Sequence, residues 1–174
     1  ASCERAFNPS LRNRPIAVLS NNDGCVIARS NEAKAVGVPM GAPAYKFREL
    51  FNLHKVHVFS SNYALYGDMS SRVMEILSTY TPEIEVYSID EAFLQLNGFS
   101  FYKLHEYGKR MHQDVLRCTG IPTSIGIAPT KALAKIANRV AKKFPSQTEN
   151  VYMIDTEEKR IKALKWIKIE DVWG

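Results

Sequence analysis

Cysteine is scarce in this chain: Cys3, Cys25 and Cys118 are odd in number and far apart, and no two form a CxxC. That spacing argues against a disulfide framework or a thiolate zinc site and points to a reducing compartment, expected to be the cytoplasm. The four histidines, His54, His57, His105 and His112, form no ligand pattern and read as structural or exposed. No apolar run approaches the roughly 18 residues of a membrane span and no signal peptide is visible, so no membrane partner is expected. Internal repeats and low-complexity segments are missing as well. One local absence is more telling: residues 131–143 carry five basic side chains and no acid.

What is present is an ordinary globular composition. With 174 residues and 45% hydrophobic content, the chain can bury one large core or two small ones. A net charge of +5 and a pI near 9.1 hint at a polyanionic partner.

Taken in order, the chain opens without an initiator methionine, on a helix-like start for which a preceding strand is expected; this suggests an excised fragment. Residues 14–20 read as a strand, Asn22-Asp23-Gly24 as a tight turn and 25–28 as the returning strand. Ser30 caps a short helix over 31–36, which Gly37 ends. Pro43 suits the first turn of a helix carrying Phe47, Leu50 and Phe51, and 56–59 is a short strand. Ser60 or Ser61 is expected to cap a long helix with Leu65, Met69, Val73, Ile76 and Leu77 on one face, closed by Pro82.

The stretch 84–96 organises the rest. Residues 84–89 alternate apolar and polar, 92–96 are β-like, and Asn97-Gly98 marks a turn. Asp90 and Glu91 therefore sit where two strands meet, stiff backbone on either side. Such an edge can hold two carboxylates where a divalent metal bridges them to a phosphate. An ordinary acidic turn is the competing reading of the dipeptide alone.

Beyond it, the spacing predicts a helix over 104–119 ending at Gly120, a strand over 123–127, a helix over 131–143 capped by Thr130, a strand over 151–154 and a further helix in the tail. Lys131, Lys135, Arg139 and Lys142 fall on one stripe of the basic helix, with Leu133, Ile136, Ala137 and Val140 on the other side. Unpaired positive charge of this density suggests phosphate contacts, against the plainer reading of a solvated face. Lys34 is a second candidate cation. From residue 60 the order is helix, strand, strand, helix, strand, helix, strand. With one strand added before Ala1 this becomes an α+β, ferredoxin-like β-α-β-β-α-β core, with residues 8–59 inserted as a small lobe.

Together these segments resemble the Y-family translesion DNA polymerases, most closely their bacterial UmuC branch. The matching text is Leu19-Ser20-Asn21-Asn22-Asp23-Gly24-Cys25-Val26-Ile27-Ala28-Arg29, Glu32-Ala33-Lys34, Phe59-Ser60-Ser61-Asn62-Tyr63, Asp68-Met69-Ser70 and Ser88-Ile89-Asp90-Glu91-Ala92-Phe93. Gly126-Ile127-Ala128, Thr130-Lys131, Leu133-Ala134-Lys135 and Asp171-Val172-Trp173-Gly174 follow, so the match is collinear along essentially the whole chain.

The resemblance implies a polymerase palm lacking its first strand over 68–154, inserted fingers over 8–67, a remnant of the palm entry helix over 1–7 and the start of the thumb over 155–174. It implies two-metal nucleotidyl transfer by a DNA-directed DNA polymerase in error-prone translesion synthesis under the SOS DNA-damage response. Asp90 and Glu91 match the paired ligands of two Mg²⁺ ions. Lys142 matches a palm lysine on the incoming triphosphate, and Asn31 and Lys34 stand where many relatives carry a tyrosine and an arginine. Cys25, Ile27 and Gly41 match finger positions over the nascent base pair. Lys131, Lys135 and Arg139 are then the candidate DNA-phosphate contacts. The implied partners are primer-template DNA, deoxynucleoside triphosphates, a UmuD-type accessory protein, a recombinase filament and a sliding clamp. In the family a third metal-binding aspartate and an aromatic gate precede Ala1, and the rest of the thumb and the little finger follow Gly174, so the 174 residues alone are expected to be inactive. A nucleotide cyclase on a similar palm and a non-catalytic nucleic-acid-binding module are the alternatives.

Overall fold

The structure, a computed structural model, describes residues 1–99, 101–169 and 172. Asp171, Trp173 and Gly174 of the matching text lie outside the described residues. The chain divides into two compact units, Ala1–Met69 and Ser70–Gly174. Among the described residues no helix is long and apolar enough to cross a membrane.

The first unit opens with helix α1 (Ser2–Phe7), which Arg5 ties down by donating to the carbonyls of Leu11 and Arg14 and to Glu32 at 2.6 Å. Its centre is β1 (Ile16–Leu19), buried along its whole length. It pairs antiparallel with β2 (Val26–Arg29), which leads into α2 (Asn31–Ala35). A 3-10 turn (Ala44–Phe47) and α3 (Arg48–Leu53) follow, and β3 (His57–Phe59) pairs parallel on the other side of β1. Buried Ser30 caps α2 through Ala33 N–H and also accepts from Ile16 N–H, so one hydroxyl fixes a helix start against the central strand. In the β1–β2 turn, Asp23 takes a positive φ of 54° and Asn22 Oδ1 accepts from Gly24 N–H at 3.2 Å.

Helix α4 (Tyr63–Ser78) carries the chain across the boundary. Its cap is neither Ser60 nor Ser61: Asn62 Oδ1 accepts from Leu65 N–H at 3.0 Å, while Ser60 donates to Asp23 and Ser61 to the Leu19 carbonyl. Pro43 likewise precedes its helix instead of entering it, and the segment begins as a 3-10 turn.

In the second unit β4 (Ile84–Val86) and β5 (Ala92–Leu94) form an antiparallel pair, shorter at both ends than the alternation predicts. Helix α5 (Leu104–Thr119) ends at Gly120 in the left-handed region, as its position suggests. Then come β6 (Ile125–Ile127), α6 (Lys131–Lys143), an unforeseen short α7 (Pro145–Thr148), β7 (Val151–Met153) and α8 (Glu157–Trp166). Strands β6 and β7 pair in parallel through the α6 crossover. The element order is the predicted one, but the strands form two separate two-stranded sheets, β4–β5 and β6–β7.

Two glycines set the layers around β6–β7. Alternation along a strand sends Ile125 and Ile127 to one face and Gly126 to the other. On the first face Gly108 of α5 lets the helix settle onto Val151 and Ile127, where an added Cβ would come within 2.9 Å of Val151. On the other face α6 lies directly on Gly126, where a Cβ would sit 2.1 Å from both the Ala134 carbonyl oxygen and the Asn138 nitrogen. Ile136 and Ala137 of α6, with Ile154 and Ala163, form the core of this side.

Tyr80 follows α4 and is held to α5: its hydroxyl donates to Asp114, and its carbonyl accepts from Tyr107 Oη at 2.6 Å. Burial, reinforced by the Asp114 carboxylate, pushes the Tyr80 phenol up from 10.0 to about 12. The fold therefore favours the protonated phenol, a contribution present below the unfolded value near 10 and lost as pH rises toward 12. Thermal scans between pH 9 and pH 12 should show a fall in Tm that Tyr80→Phe makes shallower. Gly126→Ala should cost about 3 kcal/mol or more, lowering Tm by roughly 10 °C, because backbone must move. Gly67→Ala, in open space inside α4, should be neutral or slightly stabilising.

Candidate active site

The corner between β4 and β5 is wider than a two-residue turn. The amides of Tyr87 and Ser88 both donate to the Glu91 carbonyl at 3.0 Å, which closes a five-residue loop and ends the ladder at Val86 and Ala92. Inside it the Ser88 hydroxyl donates to Asp90 Oδ1 at 2.8 Å and accepts from the Asp90 amide at 3.3 Å. Ser88 thus fixes the Asp90 side chain against its own loop while leaving it exposed. The neighbouring Glu91 side chain is 39% exposed and turns to α6, where Lys135 Nζ lies 3.2 Å from Oε2.

Lys135 does not stand alone. Its ammonium lies 4.7 Å from the centre of the Tyr87 ring. One turn earlier Lys131 pairs with Glu85 and sits 5.2 Å from the Phe93 ring centre, and the two rings meet edge-on at 5.6 Å. The result is two rungs, each a lysine, a carboxylate and an aromatic face, joining the basic helix to the acidic hairpin. The stripe is therefore not unpaired charge: at least two of its cations are matched by carboxylates more than forty residues upstream. In the sequence Glu85, Tyr87, Ser88 and Phe93 read only as strand or matching residues with no site role, although a helix with five cations and no acid already asks for acids elsewhere in the fold.

The remaining stripe residues, Arg139 and Lys142, are exposed on the same helix, and Lys142 lies two turns beyond Lys135 on nearly the same side. In the first unit Asn31 and Lys34 share one turn of α2, both exposed, with Lys34 Nζ 3.4 Å from Asn31 Oδ1. Cys25, half-buried, and Ile27, exposed, flank buried Val26 where the β1–β2 register shifts. Gly41, at a φ of 70°, donates to the Val26 carbonyl at 2.9 Å, so it runs alongside that segment. The structure thus gathers Asp90, Glu91, Lys131 and Lys135 around one corner, and Cys25, Ile27 and Gly41 around another in the first unit.

Carboxylate oxygens on consecutive residues at an open corner are hard donors of the kind that suits a divalent cation whose remaining positions are filled by water and phosphate oxygens. Among the described residues no group of three His, Cys, Asp or Glu side chains comes together. The corner fits such an open shell and not a closed protein cage.

Against this geometry, a profile of the impB/mucB/samB family matches residues 1–139. The chain is 48% identical over 175 residues to the protein UmuC of Salmonella typhimurium strain LT2, covering all of this chain and 42% of that protein. It is 40% identical over 144 residues to DNA polymerase IV 2 of Mesorhizobium japonicum, covering 82% of this chain and 34% of that protein. Among solved structures, a Dbh ternary complex superposes with a TM-score of 0.82 at 26% identity, covering all of this chain and 50% of the other. The chain thus spans about two fifths of the length of the UmuC protein it matches.

Proposed function

The chain belongs to the impB/mucB/samB family, and on that premise we propose that the whole protein is a DNA-directed DNA polymerase for error-prone translesion synthesis in the SOS response. The observation that supports this reading is the β4–β5 corner, where consecutive carboxylates at an open edge are each held by a partner, Asp90 by Ser88 and Glu91 by Lys135. That a relative named DNA polymerase IV 2 and a superposable insertion ternary complex of Dbh DNA polymerase cover 82% and 98% of this chain favours the reading over a cyclase or a binding-only module.

In this reading Asp90 and Glu91 hold Mg²⁺, two ions in all. When bound, the metal lowers the pKa of a primer 3′-hydroxyl and offsets charge on the transferring phosphoryl group. The protein's part is placement. Ser88 fixes the exposed Asp90 carboxylate against its own loop, and the loop closed on the Glu91 carbonyl holds both residues on stiff backbone. Lys142 is assigned to the incoming triphosphate, as are Asn31 and Lys34, where Lys34 offers a point charge in place of an arginine's two-pronged fork. Cys25, Ile27 and Gly41 are assigned to a shallow roof over the nascent base pair. Arg139, and Lys131 and Lys135 where their carboxylates leave them capacity, are assigned to DNA phosphates.

The domain assignment belongs to the same proposal: residues 1–7 as the palm entry, 8–67 as fingers, 68–154 as palm and 155–174 as the start of the thumb. So do its partners: primer-template DNA and deoxynucleoside triphosphates, a UmuD-type accessory protein, a recombinase filament and a sliding clamp, met in the cytoplasm. Primer extension by the whole protein with its accessory partners should depend on Mg²⁺ and fall by at least about 10²-fold in Asp90→Asn. Undiminished extension by that variant would remove Asp90 from the chemistry.

A further inference from the structure

The lysine on Glu91 has a consequence for metal binding. We infer that Lys135 is a positioning residue that acts through Glu91 as a counter-ion latch: it holds one carboxylate oxygen and so sets, by repulsion, how tightly a divalent ion binds at Asp90 and Glu91. The inference rests on the reading of those two residues as metal ligands.

Three observations carry it. The Lys135 side chain is only 13% exposed, and its ammonium lies 3.2 Å from Glu91 Oε2. The Tyr87 ring backs the same ammonium at 4.7 Å. Lys135 sits in the second turn of α6, next to Ala134, whose backbone is pressed onto Gly126, so it cannot withdraw by moving the helix. A buried ammonium needs its anion, and an aromatic face adds to its hold. A divalent ion that takes Glu91 must therefore share that carboxylate with a full positive charge already in place.

Two effects of opposite sign meet here. Lysine orients Glu91 by occupying Oε2, which leaves Oε1 for a ligand; the loss of such an outer partner ordinarily weakens metal binding. Lysine also repels the incoming ion, and its loss then strengthens binding. Repulsion dominates at this corner. The loop already fixes Glu91 through its own carbonyl, which accepts two amide hydrogen bonds, so orientation is not left to Lys135 alone. The charge held against Oε2, by contrast, is Lys135's own. The device keeps the carboxylates weakly metallated until a polyphosphate brings negative charge of its own.

The test is Mn²⁺ binding to the whole protein without nucleotide, measured by calorimetry and by the electron paramagnetic resonance of free Mn²⁺. Lys135→Met should tighten the Asp90-dependent site by about tenfold. Lys135→Arg, which keeps the charge, should retain the wild-type affinity. Tyr87→Leu, which removes the backing ring, should tighten it by a smaller factor, and it keeps the test open if Lys135→Met does not fold. Mn²⁺ binding that is unchanged or weaker in Lys135→Met, with an Asp90→Asn-sensitive site present in the wild type, overturns the latch alone. The absence of any Asp90→Asn-sensitive site in the wild type overturns the metal reading and the latch with it.

Discussion

The second unit depends on the contact between α6 and Gly126. A helix can lie with its backbone against a strand only where the strand has no side chain, and at Gly126 even a methyl group would overlap the backbone of Ala134 and Asn138. That contact fixes the helix in height and rotation. Its apolar side then meets Ile154 and Ala163, and its basic side is left facing the β4–β5 hairpin. Lys131 and Lys135 are where they are because Gly126 is where it is.

The hairpin needs that arrangement. It shares no backbone ladder with β6–β7 among the described residues, and a two-stranded ribbon is marginal in isolation. The lysine rungs supply part of what a continuous sheet would otherwise provide. They are unequal. Lys131 and Glu85 are each about half exposed, and an ion pair in that setting adds little to stability. Lys135 is largely enclosed, so its pair with Glu91 is the one whose disruption leaves a charge without compensation. A contact that braces the hairpin is thus also one that governs the carboxylate assigned to the chemistry.

Much of this was legible in the sequence because it is local. The 131–143 stripe, the Thr130 cap, the Gly120 stop and the order of elements all follow from spacing and turn chemistry, and the structure has them. The strand ends were not legible. Alternation continues from Val86 into Tyr87 and Ser88, but their amides turn inward to the Glu91 carbonyl, and periodicity does not register that loss of pairing. The cap of α4 was misplaced for a tertiary reason. Ser60 and Ser61 are both good caps, but Asp23 and the Leu19 carbonyl claim their hydroxyls, which leaves the role to Asn62. The partners of Lys131 and Lys135 lie more than forty residues away, and a pairing between distant elements has no local signature. Alternation already put Asp90 and Glu91 at a strand junction and the family resemblance offered them as metal ligands, whereas the contacts that hold them, from Ser88 and from Lys135 with Tyr87 behind it, come from the geometry.

Helix α6 holds the acidic hairpin through Lys135. A double-mutant cycle on thermal unfolding, built from Lys135→Met, Glu91→Gln and the two together, measures it most directly. A coupling of about 1 kcal/mol or more is predicted, because each single change strands the partner in a half-buried site. Additivity to within about 0.3 kcal/mol would contradict the account and reduce the contact to a bystander.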